Sequence, residues 1–174
     1  LGGSFDPNTL YQLNPNTGAV IKSYPLPKNG FRDGLTALNG RIYITHYGAG
    51  ENDIIAFDPT TGTVVQTLDI DGLNPGVDFG GGLGSLTDPD VLLVTGAGDN
   101  LIYKIDPFTG LVLGSFTQNQ GGADDGLAGW GGEIYIGRHV GNEVFVYNRS
   151  GVQLRSITIP GISGVQSLGG GAIR

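Results

Sequence analysis

An all-β chain assembled from repeated four-stranded blades, the architecture of a β-propeller, is what this sequence predicts. Three observations predict it. Glycine supplies 33 of 174 residues against nine prolines, with no Gly-x-y period, which argues for many tight turns between short strands. A single turn phrase recurs four times along the chain. No apolar period of 3.6 residues persists, because glycine interrupts every candidate helical window.

The recurring phrase runs LYQLNPNTG over 10–18, IIAFDPTTG over 54–62, LIYKIDPFTG over 101–110 and, in reduced form, VFVYNRSG over 144–151. Its first turn residue falls at Asn14, Asp58, Asp106 and Asn148, in steps of 44, 48 and 42 residues, the period of a propeller blade. Asp or Asn opens the turn because its side chain can accept a hydrogen bond from a backbone N–H two residues on. Proline presets φ at the next position, and the closing glycine takes the left-handed conformation that re-aims the chain. Alternating apolar stretches such as 54–57 and 63–68 flank it, so each phrase reads as a β-hairpin between strands C and D.

Upstream of each hairpin lies a second pair of strands. GLTAL (34–38) precedes GRIYIT (40–45), GLGSL (82–86) precedes DVLLVT (90–95), and GLAGW (126–130) precedes GEIYIG (132–137). The first of each pair is short and small, as an innermost strand A crowded near an axis must be. The second is β-branched and aromatic, as a strand B buried between neighbouring blades should be. Trp130, which ends the third strand A, is expected to pack inward.

The tail GVQSL–GGGAIR (164–174) matches strand A and the start of strand B, and the head LGGSFDPNTL (1–10) matches the end of strand B and its loop. The blade units are therefore 163–174 plus 1–28, 29–71, 72–120 and 121–162, four blades with one shared between the termini. Three ring sizes stay open: a closed ring of four, a segment of a ring of six to eight, and two chains joined into a ring of eight. A start and stop inside one strand, without an initial Met, favours the segment. Open strand edges at either end would invite self-association.

Composition narrows the partners. A formal charge of −7, with a pI near 4.5, lacks the phosphate-neutralising surface of a nucleic-acid binder. No stretch approaches the ~20 apolar residues of a membrane helix, so membrane insertion is not expected. The absence of cysteine excludes disulfides, thiolate metal sites and a Cys nucleophile. No nucleophile elbow, phosphate-cradling loop or HExxH occurs.

Candidate chemistry concentrates in the loops at one end of the blades. Both histidines lie in B–C loops, His46 in 45–53 and His139 in 137–143, and the repeat aligns His46 with Arg138. A histidine there could serve as a base in a lyase-like site, since imidazole titrates near neutrality; the plainer reading is a loop histidine bonded to backbone. Asp33 and the Asp124–Asp125 pair each sit just before a strand A and could hold a calcium ion at a channel mouth, although the other two blades offer Gly81 and Ser163 instead. The long D–A connection 69–82 carries Asp69 and Asp71 before Gly72, an incomplete calcium loop, and Asp78–Phe79 as an exposed contact on a glycine-flanked loop. The plain alternative for these acids is local bonding to backbone, and for the connection an insertion at the rim.

LNGRIYIT (38–45) followed by IIAFDPTTGTVV (54–65) resembles the blades of YVTN-type and NHL-type propellers. The resemblance covers nearly the whole chain and is specific for fold. It implies a bacterial extracytoplasmic protein, secreted, periplasmic or on the cell surface. Members of these families bind proteins, glycans or nucleic acids, or act as lyases and lactonases, and fold alone does not choose among them. The function expected is a non-catalytic module presenting loops to a protein or glycan. The alternative is a metal-assisted lyase or lactonase-like hydrolase at the channel mouth, which would bring a histidine within reach of two or more carboxylates.

Overall fold

The computed structural model describes residues 2–3, 9–27, 34–48, 51–118, 126–138, 141–164, 168 and 170–172. His139, Asp33, Asp124 and Asp125 lie outside the described residues. In chain order the strands are β1 (Gly2–Gly3), β2 (Thr9–Leu13), β3 (Val20–Pro25), β4 (Leu35–Leu38), β5 (Arg41–Gly48), β6 (Glu51–Asp58) and β7 (Thr63–Asp69). One helical turn, α1 (Ile70–Leu73), precedes β8 (Phe79–Leu86), β9 (Val91–Gly96), β10 (Leu101–Ile105) and β11 (Val112–Thr117). Then follow β12 (Gly126–Trp130), β13 (Glu133–Gly137), β14 (Glu143–Asn148), β15 (Gln153–Thr158) and β16 (Gly170–Ala172). Among the described residues, no helix is long and apolar enough to cross a membrane.

Successive antiparallel strands build three whole blades, β4–β7, β8–β11 and β12–β15, and the three-stranded β1–β3 of a fourth. The fold is a propeller of four blades. All four C–D turns form as the residue types require. The side-chain oxygens of Asn14, Asp58, Asp106 and Asn148 accept the N–H of the residue two on, at 2.9, 2.7, 2.8 and 3.0 Å. Gly18, Gly62, Gly110 and Gly151 close these turns with φ of +71°, +78°, +77° and +86°. In each hairpin the C–D register shifts by one residue just before the turn, the bulge that a turn closed by a left-handed glycine creates.

Apolar side chains from facing blades fill the wedges between them. Leu10, Tyr24 and Leu26 meet Ile42, Ile44 and Phe57 between the first two blades, with the Tyr24 and Phe57 rings edge to face at 4.9 Å. Ile54, Tyr43 and Leu68 meet Leu83, Leu92 and Val94 across the next wedge. Leu93, Ile102 and Phe116 meet Ile134, Phe145 and Tyr147 across the third. Strand β9, covered on both faces, is buried throughout and β6 and β14 nearly so, whereas β15 on the outside is exposed along its length. This is the pattern that near-continuous apolar runs in strand B imply.

Around the axis the inner strands approach very closely. A Cβ on Gly129 would stand 1.9 Å from the Ser85 carbonyl oxygen, so only glycine lets β12 lie against β8 there. Hydroxyls tie the same layer together: Thr36 and Ser85 share a hydrogen bond of 2.9 Å, and Ser85 Oγ donates to the Ala37 carbonyl at 3.1 Å. Thr45 and Thr95, the last residues of the strand-B phrases, accept the N–H of Gly34 and Gly82, each at 2.9 Å.

The glycine-rich β16 lies against β4, β8 and β12 and bonds to β4 in parallel, with Gly170 opposite Thr36 and Ala172 opposite Leu38. It thereby adds a fifth, innermost strand to the β4–β7 sheet. The sequence places 171–174 at the start of strand B, joined to the head; among the described residues β1 bonds to β2, and β16 bonds to β4. Glycine without a side chain is what the crowded axis accepts. The strand A expected over 164–168 falls largely on residues outside those described.

Candidate functional site

The loop end of the β4–β7 blade gathers the densest set of titratable groups among the described residues. Register does the gathering. His46 on β5 stands opposite Asp53 on β6, and Asp53 stands opposite Asp69 at the end of β7. Directly opposed residues on neighbouring strands project from the same face, so imidazole and two carboxylates form one row across three strands. His46 Nδ1 lies 3.6 Å from Asp53 Oδ2, and both side chains are buried, 1% and 6% exposed. Glu51, at the start of β6, brings an oxygen within 4.8 Å of the His46 and Asp53 ligand atoms. Asp53, Asp69 and Asp71 likewise bring three oxygens within 4.8 Å of one another, so Asp53 belongs to both groups.

The long D–A connection builds the other wall. Asp69 caps α1 by accepting the Gly72 N–H at 2.9 Å. A helical turn in a chain without helical periodicity is a correction to the sequence reading, and its cause is local: the Asp–Gly spacing satisfies a cap over a single turn. Ile70 inserts into the wedge between the second and third blades, anchoring α1 beside β6. Asp71 then accepts the Asn52 N–H at 3.3 Å, while Asn52 Oδ1 accepts the Phe79 N–H at 3.4 Å. The connection is thus stitched to the B–C loop side rather than hanging at the rim.

Of the residues singled out from the sequence, His46, Asp69 and Asp71 are brought together. Asp78 is exposed beside them, with its backbone carbonyl accepting the Ala97 N–H at 3.1 Å. Phe79 is not an exposed contact: it is 3% exposed, opens β8 and packs in the core with Ile70 and Leu83. The glycines after it read as a loop, but they form a strand crowded against the axis, whose first side chain turns inward. Trp130 is corrected in the opposite direction, since it is 69% exposed at the end of β12. Asp53 and Glu51 are the residues that sequence reasoning passed over. Counting from the opposed Thr45 and Ile54 in the repeat would have paired Asp53 with His46.

The same position carries other chemistry in the other blades. In β12–β15 it holds Arg138 and Glu143, 3.5 Å apart and partly exposed, as the alignment of His46 with Arg138 implies. In β8–β11 it holds Gly96 and Leu101, one step beyond the Thr95–Ile102 pair. There the loop acid Asp99 instead accepts the Tyr103 hydroxyl at 2.5 Å, and desolvation together with this carboxylate pushes the Tyr103 hydroxyl up to about 12.

Chemically the row offers hard oxygen ligands beside one imidazole. Asp69 and Asp71 each use one oxygen on a backbone N–H, which leaves the second for another partner. Three carboxylate oxygens at this spacing suit a calcium ion whose remaining ligands are water or a bound partner. Among the described residues these clustered groups lie along a single blade, and the axis is lined by small and hydroxyl-bearing inner strands with β16 among them.

No protein-family model matches the chain, and no curated protein matches it. Solved structures do. The chain is similar to streptogramin B lyase (22% identity, TM-score 0.61, covering 88% of this chain and 49% of that one). It is similar to the glutaminyl cyclase of Myxococcus xanthus (17%, TM-score 0.62, covering 81% and 56%). It also matches a chain of the nidogen–laminin complex (12%, TM-score 0.65, covering 86% and 56%). The chain spans about half the length of these structures. At such identities the likeness establishes the fold, which is that of a β-propeller.

Proposed function

We propose that this chain is a non-catalytic propeller module that binds a protein or glycan through the loop end of the β4–β7 blade, with a calcium ion joining Asp53, Asp69 and Asp71. The observation that carries the reading is the row itself: among the described residues, Asp53, Asp69 and Asp71 bring three carboxylate oxygens within 4.8 Å of one another along one blade. Asp69 is exposed and Asp71 half-buried, so the outer end of the row is where a partner can complete the coordination. A YVTN-like or NHL-like blade and an extracytoplasmic setting fit it, since extracellular modules commonly bind calcium with Kd of about 10⁻⁴–10⁻³ M. A solved propeller of similar fold comes from a nidogen–laminin complex, which supports a protein as the partner.

Calorimetric titration with calcium, alongside thermal melts, tests this. Calcium at about 100 times Kd is expected to stabilise the chain by about 2.7 kcal/mol, and the Asp53→Asn, Asp71→Asn double variant is expected to lose the response. No heat and no shift in Tm at millimolar calcium would sink the cation.

A second reading, a metal-assisted lyase or lactonase-like hydrolase, is favoured by one observation: His46 stands within reach of both Glu51 and Asp53. In that case His46 would take the proton and the carboxylates would hold the metal. Turnover of a lactone panel that disappears in His46→Ala would select it over the binding module.

A further inference from the structure

The face of β5 and β6 that carries His46 starts as apolar core and ends in polar chemistry. Ile42, Ile44 and His46 alternate along β5, directly opposite Phe57, Ile55 and Asp53 on β6, so all six project from one face. The lower rungs, Ile42, Ile44 and Phe57, pack in the wedge against the first blade. Two residues beyond Asp53, Glu51 continues the same face opposite Gly48. His46 and Asp53 are buried, whereas Glu51 is exposed where β6 begins.

Spacing, donor type and charge set this triad apart. His46 Nδ1 and Asp53 Oδ2 are 3.6 Å apart, which is longer than a hydrogen bond. Two ligands on one tetrahedral zinc ion, each bonded at about 2.0–2.2 Å, stand roughly 3.4 Å from each other. A Glu51 oxygen lies within 4.8 Å of both atoms, on an exposed side chain long enough to draw in. The donors differ from those of the calcium group: Asp53, Asp69 and Asp71 offer only oxygen, which suits a hard cation, while an imidazole nitrogen favours a zinc-type ion. Glu51, Asp53, Asp69 and Asp71 also bring four negative charges to one blade end, and a single calcium ion balances two of them. A second divalent ion completes the balance at the His46 end, where two of the side chains are shielded from water.

We infer that His46 Nδ1, Glu51 and Asp53 hold a zinc ion, with its fourth tetrahedral position left to water and Asp53 shared with the neighbouring calcium ion. The imidazole nitrogen is here a ligand, not a base. Strand register sets the two buried ligands in place before the ion arrives, and Ile44 and Ile55 beneath them supply an apolar floor that strengthens the attraction. Glu51 closes the site from the solvent side. Zinc needs only β5 and β6, whereas calcium also needs the connection after β7, so either ion can bind without the other.

The test titrates zinc chloride into the full chain, free of any affinity tag, by calorimetry with and without millimolar calcium, while imidazole ¹⁵N spectra follow both histidines. One zinc ion per chain is expected in either buffer, with the His46 ring signals shifting and those of His139 unmoved. His46→Ala is expected to weaken zinc binding about 100-fold and the exposed Glu51→Gln about tenfold. The Asp69→Asn, Asp71→Asn double variant should lose calcium and keep zinc, and His139→Ala should bind zinc as the parent does. Circular dichroism checks that each variant is folded, and Glu51→Gln carries the test should His46→Ala not fold. The inference is overturned by no zinc binding at about 100 μM, by shifts at His139 in place of His46, by undiminished binding in Glu51→Gln, or by displacement of zinc by calcium. A parent chain that binds zinc but not calcium would sink the calcium reading alone and support this one.

Discussion

Two blades place a nitrogen-bearing side chain beside a carboxylate at the same cross-strand position, and only one of them buries the pair. In β4–β7 the side chains of His46 and Asp53 are 1% and 6% exposed, at 3.6 Å; in β12–β15 those of Arg138 and Glu143 are 39% and 33% exposed, at 3.5 Å. The distance is nearly the same, so strand register sets the encounter. Burial comes from elsewhere. The connection after β7 carries α1, which packs on β6 and ties Asp71 to Asn52, and the stretched step of 48 residues in the repeat is the sequence trace of it. One blade thus turns a solvent-screened surface pair into an enclosed polar cluster by adding residues to a loop.

The widest separation between the two pairs should come from truncating the acids. Asp53→Ala leaves a buried imidazole facing a void and is expected to cost about 2–3 kcal/mol in urea unfolding, whereas Glu143→Ala should stay within about 0.5 kcal/mol. Equal losses would break the comparison. Exchanging the two nitrogen-bearing side chains sharpens it further. His46→Arg forces a longer, charged group into an enclosed row and should lower stability by about 1–2 kcal/mol, while Arg138→His should be nearly silent.

The smallest effect is a pH dependence in the open blade. Arg155 first, then the Tyr135 hydroxyl, holds the Glu133 carboxyl at about 2, below its ordinary 4.5. A depressed carboxyl stabilises the fold above its unfolded pKa, and that contribution is lost as pH falls from about 4.5 toward 2. Arg155 is exposed and Glu133 partly so, which leaves the pair screened, so the slope should be shallow, flatten in high salt and disappear in Arg155→Ala. An undiminished slope in that variant would assign the acid sensitivity to other carboxylates.

Much of the fold was legible because its determinants are local. An Asp or Asn accepting the N–H two residues on, followed by a left-handed glycine, needs nothing beyond the turn itself, and all four such turns form at their expected places. The site was legible only in pieces. His46, Asp69 and Asp71 stand out as residue types, yet Asp53, which joins them, looks like one more polar loop residue until β5, β6 and β7 are set in register. Phe79 and Trp130 misled for a related reason. Exposure near the axis depends on which neighbouring strand covers a side chain, and glycine-rich flanks say nothing of that.

The repeat period, the turn chemistry and the alternation of apolar residues determined by themselves that this chain would form four-stranded blades, because each acts within a few residues. Tertiary structure alone decided that β16 lies parallel to β4 at the axis, and that the His46–Asp53 pair is enclosed while the Arg138–Glu143 pair is open. Those outcomes depend on how blades and loops cover one another, and burial of that kind is a property of neighbours distant in sequence.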